Sequence, residues 1–222
     1  MSSIRPHITT PQCEHMVELT QAHDLRGTLN ARLASGEVAE AKDALTVHLL
    51  HGLAYTVGSA LGSKPPTRDQ CLAAFQIPNK VGLTAGARAW SKHAHRSAGS
   101  TDEVLDAGTK GKKAAASSGW WGTPSGPVTA INERALALFW RVVDSASWRN
   151  LHWLPHGVLV YEARAPEGYG MRWAQDLSGL LDEDDRTRVR HDCADEVKKR
   201  PWQFRGFVEP MMENGHEVGW RH

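Results

Sequence analysis

Cysteine is scarce. Three thiols, Cys13, Cys71 and Cys193, stand far apart with no C-x-x-C pair among them. That spacing excludes a legible disulfide framework or thiolate zinc site and fits a reducing compartment, so a cytoplasmic protein is expected. Long apolar runs are missing too: the most apolar stretch, residues 44–61, is broken by His48, His51, Gly52 and Gly58. No membrane span is expected from it, and the opening MSSIRPHITTPQ lacks the basic-then-apolar order of a secretory leader. There is no G-x-x-x-x-G-K-[ST] loop and no G-x-G-x-x-G after a strand, so nothing marks a nucleotide cradle. The absence of a G-x-S-x-G elbow leaves covalent catalysis the least supported route. No repeat with a period of roughly 20 to 50 residues is visible.

What is present is globular composition: 222 residues, 26 Lys and Arg against 25 Asp and Glu, 41% hydrophobic and 23% charged. One domain of this length buries a core without staples. Two counts stand out, 12 His and 9 Trp, both types able to serve a site as well as a core.

The first 96 residues read as helices. In residues 14–33, Ala22, Leu25, Leu29 and Leu33 recur at steps of three and four, and residues 37–61 follow as a more apolar helix. Pro65 and Pro66 stop it, and Thr67 with Gln70 makes a capping box that opens a short helix ending before Pro78. Residues 83–96 place Leu83, Ala87, Trp90 and Ala94 on one face. Residues 97–126, rich in Gly, Ser and Lys, read as a mobile loop. Pro127 then opens a long helix carrying Val128, Ile131, Ala135, Leu138, Val142 and Ala146 at helical steps.

After Pro155 the period changes to two. Residues 158–164 and 169–176 read as a hairpin around residues 165–168, and residues 202–209 as a third strand. The span 182–200, mixing acids and bases, reads as a solvated helical insert. Helices first and strands later predict one α+β domain, its helical layer packed on a small antiparallel sheet.

Candidate chemistry gathers in four places. Residues 70–101 hold Lys80, Arg88, Lys92 and Arg96 and no acid, so Arg88, Lys92, His95 and Arg96 form a cationic stripe opposite Trp90. Such a stripe is either a solvated helix face or an anion site. The stretch 150–156, read as the connection between the long helix and the first strand, carries His152 and His156; Pro155 between them argues against a helical metal pair. On the strands, Arg172 and Arg205 are expected side by side, needing either a bound anion or carboxylates such as Glu162 and Glu209. Gly168, Gly170 and Gly206 suggest a bulge or a close approach there. In the tail, Asn214 and Gly215 form a turn that would fold His216, Trp220 and Arg221 back over the sheet. Lys110, Lys112 and Lys113 precede Trp120 and Trp121, an arrangement suited either to closing over an anion or to pinning a linker to the core. His48 and His51 with Tyr55 read first as a polar seam in a helix.

These residues point first to an enzyme acting on an anionic, phosphate-bearing small molecule or nucleotide and needing no cofactor. His93, His152, His156 and His216 would exchange protons, while Arg88, Lys92, Arg96, Arg172, Arg205, Trp121 and Trp220 hold the substrate. A second reading is a divalent-metal hydrolase with His152, His156, His216 and Glu213 or Glu217 as ligands, although the surplus of cations disfavours it. A third is a nucleic-acid-binding module using the basic stripe and stacking tryptophans.

Overall fold

The computed structural model describes residues 8–35, 43–94, 119–182, 185 and 188–211. Among these residues are six helices and one antiparallel sheet of four strands, all four in the C-terminal half, an α+β fold. The helices are α1 (Thr20–Ser35), α2 (Ala44–Leu50), α3 (Arg68–Gln76), α4 (Ala85–His93), α5 (Val128–Ser145) and α6 (Ala194–Lys199). The strands are β1 (Trp148–Leu154), β2 (Val158–Arg164), β3 (Gly170–Asp176) and β4 (Trp202–Val208), paired in chain order.

Helix starts follow side-chain chemistry. Thr67 Oγ1 accepts from the Gln70 backbone N–H while the Gln70 carboxamide accepts from Thr67 N–H, the reciprocal box expected at α3. Thr84 caps α4 through the Ala87 N–H at 3.1 Å. Pro127 sits just ahead of α5, whose Ala135, Phe139 and Val142 stripe is buried.

Two of the sequence expectations are corrected. Residues 37–61 do not form one helix: α2 ends at Leu50, and Gly52 and Gly58 turn the chain with positive φ. The following segment runs along the outer edge of β1, with Ala54 N–H donating to Arg149 O at 2.7 Å and Ala60 N–H to Leu151 O at 2.8 Å. That pairing protects an otherwise bare edge. The second correction is β1 itself. The stretch read as a connection, 150–156, is mostly strand, because Trp148, Asn150 and His152 alternate with Arg149, Leu151 and Trp153 across the sheet. Only Pro155–Gly157 forms a tight turn, with His156 in a left-handed conformation. The span 182–200 is helical in part, a short turn at His191–Cys193 leading into α6.

The sheet has two unlike faces. Leu151, Leu159, Tyr161, Ala163, Met171, Trp173, Trp202, Phe204 and Phe207 face α3, α4 and α5 and make the core with Phe75, Phe139 and Trp121. Phe75 meets Phe139, Phe204 and Phe207 with ring centroids 4.8 to 6.4 Å apart, edge-on or tilted. A smaller cluster, Ile8, Ala22, Leu29 and Leu49, joins α1 to α2. The other face carries the polar side chains Asn150, His152, Glu162, Arg164 and Arg172 beside the buried Trp148, Val160 and Ala174.

Candidate active site

Alternation along the strands decides what lies on that polar face. Register aligns Asn150 with Glu162, Glu162 with Arg172 and Arg172 with Gly206, and aligns His152 with Val160 and Ala174 in the next tier. Residues two apart on a strand share a face, so His152, Asn150, Glu162, Arg164 and Arg172 come from three strands to one surface.

Glu162 is its centre. One carboxylate oxygen accepts from Arg164 Nε at 2.5 Å and the other accepts from Arg172 Nε. Arg164 is 1% exposed, and its Nη1 also donates to Gly168 O at 2.6 Å and Glu209 O at 2.7 Å. Arg172 is 28% exposed and reaches solvent. Burial alone would push the Glu162 carboxyl up, but the Arg164 and Arg172 guanidiniums outweigh it and hold it below the ordinary range. Two permanent cations share one carboxylate, so the cluster keeps a positive surplus.

Arg205 adds to that surplus. A β-bulge between Arg172 and Trp173 inserts Arg205 as the extra residue of β4, with Gly206 at φ 137°. Arg205 and Phe207 therefore do not share a face as simple alternation would have it: Phe207 packs in the core, while Arg205 is exposed and has no ion pair among the described residues. Gly170 permits a close strand approach, since a Cβ there would lie 2.7 Å from Arg164 Cγ and run into Ala163 O.

His152 is half-buried on the same face. Burial lowers its pKa, the Glu162 carboxylate opposes, and the Arg172 and Arg164 charges lower it again, so the ring is held below 6.5. A neutral imidazole at neutral pH is a proton acceptor. Asn150 anchors the strand beneath it, its amide donating to Thr56 Oγ1 at 2.8 Å and its oxygen accepting from Ser59 Oγ at 3.0 Å.

The other expected site residues do not join this group. His93 lies at the end of α4 on the helix-covered side, its ring centroid 6.5 Å from that of Phe207 and its Nδ1 4.0 Å from Glu209. Trp121 is 1% exposed and offers no face for stacking on a ligand. Its Nε1 donates to Glu209 and its carbonyl accepts from Trp90 Nε1, so the indole pins its segment to the core. Trp120 stacks on Tyr169 at 4.7 Å under the Arg141 guanidinium. Arg88 and Lys92 are exposed on α4, without ion pairs among the described residues and away from the polar sheet face. His156 is exposed in the turn beyond β1. Arg96, His216 and Trp220 lie outside the described residues, as do Glu213 and Glu217 of the metal reading. Among the described residues no three His, Cys, Asp or Glu side chains converge as a ligand set.

Sequence reasoning missed Asn150 and Arg164 and took Glu162 only as a neutralising partner. The signal was present: W-R-N-L-H-W-L has period two, which marks a strand ahead of Pro155.

Residues 106–182 match the family model of the CdiA C-terminal tRNase toxin domain, about a third of the chain. Neither a curated protein nor a solved structure is similar enough to match. The matched stretch includes α5, β1, β2 and β3, and with them His152, Glu162, Arg164 and Arg172.

Proposed function

We propose that the chain is an RNA endonuclease whose substrate is tRNA, the molecule in the name of the matched family. The observation that supports this reading is a half-buried imidazole held neutral beside guanidiniums that one carboxylate leaves partly uncompensated, all inside the matched stretch. Anionic phosphates are drawn to that surplus. His152 takes the proton of a ribose 2′-hydroxyl, and the freed oxygen attacks the adjacent phosphorus. The bond to the 5′-oxygen breaks, and that oxygen is protonated by solvent or by a second acid. Products are a 2′,3′-cyclic phosphate and a 5′-hydroxyl. Arg172 and the exposed Arg205 stabilise the extra charge on the phosphoryl oxygens as it develops. Glu162 does not exchange protons in this scheme; held ionised between two cations, it fixes the direction of the Arg172 fork.

The test is cleavage of purified tRNA by the full chain, with the new ends mapped chemically. His152→Ala is expected to cost about 100-fold or more in rate, and Arg172→Ala a comparable factor, with circular dichroism unchanged. Intact tRNA after prolonged incubation with folded wild-type protein, or wild-type rates in both variants, would overturn the proposal.

A further inference from the structure

On the opposite, helix-covered side of the sheet a cavity of about 280 Å³ opens between the start of α3, α5 and the chain around residues 51–66. Its apolar wall is Leu53, Pro65, Pro66 and Val143. Its polar groups are donors: the Arg149 and Arg68 guanidiniums, the Tyr161 hydroxyl and the His51 ring.

Two of these donors have no protein partner among the described residues. Tyr161 is 8% exposed and lines the cavity, and its hydroxyl makes no hydrogen bond to the described residues. The hydroxyl oxygen is not sealed from solvent; it opens on the cavity, where a ligand oxygen can accept its proton. Arg149 is half-buried beside it, without an ion pair among the described residues and close enough that its charge opposes the burial-driven rise of the Tyr161 pKa. Arg68 stacks on Trp140 at 4.6 Å and pairs with Asp144, which occupies only part of its fork. Lys64 adds positive potential, lowering the His51 pKa together with burial. Donors converge here on a space lined by apolar side chains, and a ligand that fills it must bring acceptor oxygens and a compact apolar body.

We propose that this cavity is a binding site for a phosphate monoester with a small flat body, of the nucleoside monophosphate class. The phosphate sits on Arg149 and receives the Tyr161 hydroxyl proton as a hydrogen bond, and the flat body lies against Pro65 and Pro66. The volume suits a mononucleotide better than a larger cofactor. The site is separate from the polar sheet face and does not require that face to cleave RNA.

Isothermal titration of the full chain with a 5′-nucleoside monophosphate, and with a short RNA bearing a terminal phosphate, tests this. Tyr161→Phe removes one oxygen that the fold does not use and should weaken binding about 5- to 10-fold; Arg149→Gln should weaken it at least 10-fold. His152→Ala should bind as wild type, which separates this proposal from the nuclease reading. Binding of the mononucleotide that weakens in Tyr161→Phe and Arg149→Gln identifies a free ligand, and RNA binding that weakens in the same two variants identifies a strand end; RNA binding that neither variant changes belongs to the polar face and counts against the cavity. No heat with either probe on folded wild-type protein, or equal affinity in Tyr161→Phe and Arg149→Gln, would overturn it.

Discussion

Glu162→Gln tests the electrostatic core of the polar face. The substitution keeps the shape and removes the one charge that Arg164 and Arg172 share. Breaking a buried pair by removing one partner costs about 3 to 5 kcal/mol, because the other charge is left uncompensated. Two features put this case at the lower end, about 3 kcal/mol. Arg172 is partly solvated and contributes little, and Arg164 keeps the Gly168 and Glu209 carbonyls as acceptors. For a chain of this size that is a fall in Tm of about 6 to 12 °C. Urea unfolding at neutral pH measures it directly. The pH dependence gives a second check. Because the folded-state pKa of Glu162 is lowered, its contribution is complete above the unfolded value near 4.5 and is lost as pH falls through the folded value. Glutamine does not titrate, so the gap between wild type and variant should narrow as pH drops below about 4. A gap under about 1 kcal/mol at neutral pH, or one equally large under acid conditions, would refute this account of the cluster.

Three further outcomes are expected. The rate of RNA cleavage should rise with pH along a limb centred below 6.5, the side to which His152 is shifted; Arg172→Gln removes a cation that lowers this pKa and should move the limb to higher pH. Gly170→Ala should destabilise by about 3 kcal/mol in urea unfolding, since backbone stands in the way; Gly206→Ala, with open space around it, should pay only for its positive φ, about 1 to 2 kcal/mol. Cys71, whose thiol burial pushes up to about 12, should resist alkylation until the protein unfolds, whereas the half-exposed Cys13 reacts first; equal labelling rates would contradict the packing of α3.

Local signals located most elements and little of the site. The capping box at Thr67, the Pro127 start, the 158–176 hairpin and the glycines near the bulge were legible because each acts over a few residues. The apolar composition of residues 37–61 misled: a buried segment running beside a strand edge is as hydrophobic as a buried helix, and period alone does not separate them. Of the two alternatives for the strand arginines, the carboxylate network holds for Arg172, which Glu162 binds, while the bulge carries Arg205 to solvent with no such partner among the described residues. The indoles of Trp120 and Trp121 serve the core, a role the sequence left balanced against ligand stacking.

By itself the sequence determined the class of architecture, the helical order of the first half and the change to period two, since propensity, caps and turn chemistry are written in neighbouring residues. Tertiary structure alone decided which charges meet. Strand register set Glu162 opposite Arg172 and placed His152 on their face, while the stacking of α3 and α5 on the other face enclosed Arg149 and Tyr161. Both outcomes depend on distances between residues remote in the chain, and a Coulomb energy or a hydrogen bond exists only once packing has brought its partners together.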